Sequence, residues 1–208
     1  MKKQYFSAAL SIIVFSLLFF SCVTIPTARP GVRSGGAPRP VPKQEPSRSI
    51  AGRGIKSAGG LTAFFLEYNP KADRAQIQRL SQFYIGEGNA EGINSDVAFV
   101  QMCLETGFLR FGGLVTPDMH NYCGLGALDA AHPGERFPSE QIGVRAHVQH
   151  LHAYGTTSAL RQPLVDNRYR YVNPRGKAPD VFALSGTWAS DRAYGEKLNQ
   201  LLSLLAAY

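Results

Sequence analysis

The feature that most limits this chain is a break in composition between residues 60 and 61. Residues 23–60, VTIPTARPGVRSGGAPRPVPKQEPSRSIAGRGIKSAGG, hold six prolines and seven glycines and almost no large apolar side chains. Such a stretch buries too little apolar surface to offset the entropy lost on ordering it, so residues 22–60 are expected to form a disordered basic tether. What remains to fold is residues 61–208, enough for one ordinary domain.

Ahead of the tether, residues 1–21 begin with Lys2 and Lys3 and continue through the 13-residue apolar run AALSIIVFSLLFF. As a helix this run rises only about 20 Å, short of the roughly 30 Å of a hydrocarbon core. It reads as an export signal rather than a membrane span. The following FFSC resembles the lipobox of bacterial lipoproteins, with Phe20 where such boxes usually carry a small residue. That resemblance implies that Cys22 becomes the acylated first residue of an exported protein, anchored to a membrane and facing the periplasm or cell wall. A secretory peptide cut near Ser21, or an uncleaved anchor, is the alternative.

The formal charge of +7 is distributed unevenly. Residues 23–60 carry seven basic side chains against Glu45, whereas residues 61–208 carry 13 basic against 14 acidic. The basic pI therefore belongs to the tether, and the nearly neutral domain lacks the basic face that nucleic-acid binding requires. A basic segment beside a lipid anchor can lie against anionic head groups or wall polymer, or it can be a solvated linker.

With Cys22 assigned to lipidation, Cys103 and Cys123 remain either as a disulfide in an oxidising compartment or as two buried thiols. His147, His150 and His152 lie close together, but no acidic or cysteine partner stands at metal-ligand spacing, so a packing or surface role is expected and no metal.

From Leu61 the pattern is helical. LTAFFLEYNP stops at Asn69-Pro70, and DRAQIQRLSQFYIGEG begins with Asp73 as N-cap and puts Ile77, Leu80 and Tyr84 on one face. NSDVAFVQMCLETG begins at Asn94 or Ser95 and ends at Gly107. On that helix Val97, Gln101, Leu104 and Phe108 share a face, and Glu105 falls at its border. Residues 108–138, rich in glycine, proline and aromatics, read as a long loop with a short hairpin, a length that is usually functional. A helix over 139–154 follows, with Val144, Val148 and Leu151 inward. The last helix is expected to be capped by Ser190, with Tyr194, Leu198, Leu201 and Leu205 as its stripe. The fold class is α+β, mainly α.

Glu105 occupies an unfavourable place. A helix C-terminus carries partial negative charge, and a carboxylate there is disfavoured by about 0.3–1 kcal/mol. That field, together with burial against Phe108 and Phe111, opposes ionisation and raises the carboxyl pKa, as a general acid near neutral pH requires. An ordinary surface glutamate is the competing reading.

Four blocks in order, DVAFVQMCLETGFLRFGG, HNYCGLGALD, RFPSEQIGVRAHVQHLHAYG and GTWASDRAYGEKL, resemble the exported peptidoglycan-hydrolysing glucosaminidases, glycoside hydrolase family 73. The resemblance covers about residues 61–208. It implies a lysozyme-like domain of two lobes with a glycan-binding cleft, and cleavage of the β-1,4 bond between N-acetylglucosamine and N-acetylmuramic acid, with Glu105 as the catalytic acid. By the same resemblance Gln101 lines the acid's face, Asn121 and Tyr122 match the cleft floor, and Tyr194 matches a tyrosine near the acid. Phe111 joins the substrate-binding candidates. Trp188 is a sugar platform or core, with core favoured, and Asp191 is favoured as a helix-start residue.

For the second carboxylate, Asp129 and Glu135 are the candidates, with Asp118, Glu87 and Glu91 as outsiders. A 2-acetamido group on the substrate would remove the need for a protein nucleophile. Phe108 stands where the family more often has tryptophan. The expected partners are peptidoglycan strands and, through the anchor, a membrane, with no nucleic acid and no cofactor, and the expected state is a monomer. A lytic transglycosylase or muramidase on the same fold, and a silent wall-binding lipoprotein, are the rival readings.

Overall fold

A computed structural model describes residues 44–208. The export signal, Cys22 and most of the tether lie outside the described residues. Among the described residues, five α-helices and one small hairpin, joined by segments with short 3-10 turns, form the framework: α1 (Ala58–Tyr68), α2 (Arg74–Glu91), α3 (Ser95–Glu105), β1 (Ala127–Asp129), β2 (His132–Pro133), α4 (Glu140–Gly155) and α5 (Tyr194–Leu205). This is the mainly helical α+β class that the sequence predicts, and it is consistent with a lysozyme-like fold. Among the described residues no helix is long and apolar enough to cross a membrane.

Local signals set most helix ends. The side chain of Ser57 accepts from the Gly60 amide at the start of α1, and Asp73 accepts from the Ala75 amide at the start of α2. Asn94 accepts from the amides of Asp96 and Val97 and so fixes the first turn of α3. At the far end of α3 the Thr106 hydroxyl donates to the Met102 carbonyl, and Gly107 turns left-handed at φ 57°. The start of α5 differs from expectation. Ser190 does not cap it; Asp191 forms a turn by accepting from the Ala193 amide, and the helix begins at Tyr194.

α3 is the axis of the domain. Every residue from Ser95 to Cys103 is buried, because α1, α2, α4 and α5 all pack against it. A helix apolar nearly all round belongs in a core. The core around it draws Phe64 and Phe65 from α1, Ile77, Leu80 and Tyr84 from α2, Val144, Val148 and Leu151 from α4, and Leu198, Leu202 and Leu205 from α5. Leu202 is buried where Leu201 was expected, Leu201 being only half-buried. Cys103 and Cys123 are both buried free thiols, so the disulfide alternative is not formed.

The boundary at residue 61 needs correction. Residues 44–57 are ordered as a strap across the helices, with Ile50 fully buried against Gly155. The Ile50 amide donates to the Pro179 carbonyl at 2.9 Å, the Asn94 amide donates to the Ile50 carbonyl at 2.9 Å, and the Gly52 amide donates to the Gly92 carbonyl at 2.9 Å. Farther along, the buried Asp96 carboxylate accepts from the amides of Ile55 at 2.8 Å and Lys56 at 3.2 Å. Composition concealed the strap, because one isoleucine and a row of satisfied backbone groups hold it in place.

Candidate active site

Because α3 is buried along its length, its last residue is delivered from the core to a surface. Glu105 is that residue, and it opens on a cavity of about 230 Å³ lined also by Thr106, Gly107, Phe111, Leu114, Asn121 and Ala127. The wall facing it is the segment after α3, which runs through left-handed backbone at Phe108 (φ 56°), Leu109 (φ 57°) and Phe111 (φ 51°). Non-glycine residues in that region cost roughly 1–2 kcal/mol each, and such departures concentrate at functional sites. Hydrogen bonds hold the turn: the Phe108 amide donates to the Cys103 carbonyl at 2.7 Å, and Asn69 Nδ2 donates to the Phe108 carbonyl at 2.9 Å.

The carboxylate itself is gripped on one oxygen. Trp188 Nε1 donates to Glu105 Oε1 at 2.9 Å, and the Tyr194 hydroxyl donates to the same atom. Burial pushes the Glu105 carboxyl above the usual carboxylate range, and the two donors pull it back only in part. The residue keeps an exposed flank, and both donors meet it on Oε1. The sequence predicts this upward direction from the helix-end field and from burial against Phe111 and Phe108; the cause here is burial, and Phe108 is not on the cavity. That ring instead stacks on Tyr68 at 4.8 Å and packs on Phe64 and Phe65, while Phe111 shares the cavity with the acid.

Gln101 lies one turn before Glu105 on α3 and is fully buried. It does not line the cavity; its Nε2 donates to the Tyr194 hydroxyl at 2.9 Å, and its Oε1 lies 3.0 Å from His147 Nε2. His147 Nδ1 lies 2.9 Å from the Tyr84 hydroxyl. Burial holds His147 neutral, with its pKa lowered to about 3. The sequence places Tyr84 on the inward face of α2 but leaves His147 between a packing and a surface role, and it shows neither polar partner. The available signal was an imidazole on the buried face of α4, since a polar group there requires one.

Asn121 lines the cavity, but its amide is fully engaged: Nδ2 donates to the carbonyls of Leu125 at 2.9 Å and Glu135 at 3.1 Å, and Oδ1 accepts from the Leu125 amide at 3.0 Å. Its work is to shape the loop. α4 supports that loop at Gly143, where a Cβ would come within 1.8 Å of the His120 carbonyl oxygen. Tyr122 is not on the cleft floor. It is buried in the main core with its hydroxyl unpartnered and its pKa raised by burial. Trp188 is half-buried, its ring packed 5.1 Å from Tyr154 and 5.2 Å from His150. It is thus packing residue and donor to the acid at once.

The structure does not bring the other acids to Glu105's cavity. Asp129 sits exposed on the hairpin and accepts from the amides of Ala131 and His132 and from His132 Nδ1. Glu135 pairs with Arg168 at 2.7 Å, and Asp118 pairs with Arg136 at 2.6 Å. Glu87 and Glu91 face α4 and the loop beyond it, Glu87 binding Arg145, Gln141 and Gln162 and Glu91 binding Gln149 and the Arg161 amide. Asp191 pairs with Lys197 at 2.7 Å, in keeping with its helix-start role. Among the described residues no group of three or more histidine, cysteine or acidic side chains is arranged to hold a metal ion.

The family model described as mannosyl-glycoprotein endo-beta-N-acetylglucosaminidase matches residues 81–206. An uncharacterised protein of Borreliella burgdorferi is 37% identical over 159 residues, covering 76% of this chain and 78% of that relative. No solved structure matches.

Proposed function

Since the chain belongs to the mannosyl-glycoprotein endo-beta-N-acetylglucosaminidase family, we propose that it is a peptidoglycan hydrolase that cleaves the β-1,4 bond between N-acetylglucosamine and N-acetylmuramic acid, with Glu105 as general acid. The observation that carries this reading is the grip on Glu105. Two donors occupy Oε1, and the free oxygen, Oε2, is the one available to hold a proton at the cavity. Oε2 gives its proton to the glycosidic oxygen as the bond to C1 breaks, and the muramic acid end leaves as an alcohol. The partners already held by Asp129 and Glu135 support a substrate-assisted second half. In it the carbonyl oxygen of the 2-acetamido group bonds to C1, and water then opens the resulting ring, returning a proton to Glu105.

Digestion of purified peptidoglycan followed by mass spectrometry tests the reaction. Reducing-end N-acetylglucosamine is expected; anhydro-muramic ends would instead indicate a lytic transglycosylase. The Glu105→Gln variant keeps the shape and loses the proton. If it clears wall material as fast as the parent, Glu105 is not the acid, and if neither clears it but both sediment with it, the protein is a wall-binding module.

Export and anchoring belong to the same reading. Cys22 is acylated and holds the enzyme on a membrane, with the intervening residues as reach to the wall. Incorporation of an alkyne fatty acid that disappears in Cys22→Ser supports this, and equal labelling of both proteins refutes it.

A further inference from the structure

The contacts behind Glu105 join into a continuous path through four helices. It runs from Tyr84 on α2 to His147 on α4, to Gln101 on α3, to Tyr194 on α5 and back to Glu105. Tyr84, His147 and Gln101 are fully buried, and Tyr194 is 5% exposed, so water does not compete for their polar atoms. The Tyr84 hydroxyl, the two His147 nitrogens and the two Gln101 amide atoms each have one partner on the path, and the Tyr194 hydroxyl has two, Gln101 Nε2 and Glu105 Oε1; matching donors to acceptors fixes the direction of every proton.

Gln101 Nε2 donates to the Tyr194 hydroxyl, so Gln101 Oε1 is the atom facing His147 Nε2. A carbonyl oxygen only accepts, so the proton of the neutral imidazole is on Nε2 and Nδ1 is bare. The Tyr84 hydroxyl, 2.9 Å from that bare nitrogen, must donate to it. At the other end, the Tyr194 oxygen receives the Gln101 N–H and has its own proton left for Glu105 Oε1. With Trp188 Nε1 as second donor, Oε1 is filled and cannot carry the acid proton.

We propose that Tyr84 and His147 are positioning residues for the glycosidase reaction, and that their one-way chain of hydrogen bonds through Gln101 and Tyr194 keeps the Glu105 proton on Oε2, toward the cavity. The proposal rests on Glu105 being the general acid. Neither residue touches substrate. Their effect passes through the orientation of two groups, the Gln101 amide and the Tyr194 hydroxyl. If His147 carried its proton on Nδ1, the Gln101 amide would turn over, and the Tyr194 hydroxyl would donate to Gln101 and leave Glu105 Oε1 open to the acid proton. The groups that face Glu105 are the Tyr194 phenol from α5 and the Cys123 thiol from the loop. Those that face His147 are the Tyr84 phenol from α2 and the His150 imidazole from α4.

The first test uses the parent protein. In protein carrying ¹⁵N-histidine, with the His147 signals assigned by their loss in His147→Gln, long-range proton–nitrogen spectra are expected to show the Nε2–H tautomer. They should also show no protonation as pH falls to about 4. An Nδ1–H tautomer, or a midpoint near that of a free histidine, overturns the proposal. This readout does not depend on what the enzyme cleaves, so it stands apart from failure of the glycosidase reading.

The second test follows catalysis. Tyr84→Phe and His147→Leu are expected to lower kcat about 10-fold, in line with the cost of misaligned catalytic groups, with KM within about twofold. Both should move the alkaline limb of the pH profile. His147→Gln, which returns a donor near the Nε2 position, is expected to recover part of the loss. Folded variants with the parent's kcat and pH profile would overturn the proposal. If His147→Leu does not fold, Tyr84→Phe and the tautomer of the parent decide.

Discussion

Trp188 Nε1 donates to Glu105 Oε1 at 2.9 Å across 83 residues of sequence. The indole is the one donor to the acid that comes from the irregular segment before α5 rather than from a helix. Its ring is fixed by Tyr154, His150 and His147 on α4, so α4 sets the direction of the N–H bond.

Trp188→Phe separates the donor from the packing. A hydrogen bond to a carboxylate favours its ionised form, so losing the bond raises the Glu105 pKa further above the usual range. A general acid works while protonated, and the alkaline limb of kcat therefore moves to higher pH in the variant. The rate at the optimum falls by about 10-fold as the carboxyl loses orientation. A pH profile of kcat on soluble glycan fragments checks both. An alkaline limb that stays in place or moves down contradicts the assignment.

Glu105→Gln has a consequence for stability as well as for rate. Burial raises the folded pKa of Glu105 above its unfolded value. The folded state is therefore favoured while the group is protonated, and it loses that advantage as pH rises from the unfolded to the folded pKa. Glutamine keeps an acceptor for Tyr194 and Trp188 and has no charge to bury. Its melting temperature is expected to match the parent's at acidic pH and to exceed it at neutral pH. Melting curves at several pH values measure this. A variant less stable than the parent at neutral pH would mean that the ionised carboxylate is well accommodated.

Helix caps, the buried stripes and the placement of Glu105 at the mouth of α3 could be read from the sequence, because each depends on residues three or four apart. Asn94, Asp73 and Gly107 act as their types predict. Tyr122 and Asn121 are adjacent in a motif, yet one side chain enters the main core and the other stitches the loop to Leu125 and Glu135. Sequence could not separate these roles, since they depend on which face the loop turns to α4. The path from Tyr84 to Glu105 joins four helices, and no local spacing encodes it. Ile50 was lost for a different reason: a Pro/Gly-rich composition describes average burial and is blind to one well-placed anchor.

Glu87 tests the α2–α4 contact that holds the loop-bearing helix in place. Burial alone would raise its pKa, but hydrogen bonds from Arg145, Gln141 and Gln162 outweigh it and hold the carboxyl below its ordinary value. The stabilisation is therefore present above the unfolded pKa and is lost as pH falls through the folded one. Glu87→Gln leaves the Arg145 guanidinium without its charge partner and is expected to cost roughly 2–4 kcal/mol at neutral pH, since removing one member of a buried pair is costly. Denaturant titrations should show the gap narrowing as pH drops below about 4. A gap that is constant with pH would show that packing rather than charge is lost.

Ile50 and Ile55 belong to the same strap but differ in surroundings: Ile50 is fully buried, and Ile55 is 41% exposed. Deleting a buried isoleucine side chain to alanine leaves a cavity and costs about 2–5 kcal/mol. The same change at Ile55 should stay within roughly 0.5 kcal/mol. If the strap is part of the folded unit, Ile50→Ala lowers the denaturation midpoint of the whole domain, because the bonds from Ile50 to Pro179 and Asn94 join segments far apart in the chain. A protein begun at residue 58 should lose more, since it also gives up the amides that satisfy the buried Asp96 carboxylate. If both changes leave the midpoint where it was, the strap merely rests on the domain, and residues 44–57 belong with the tether.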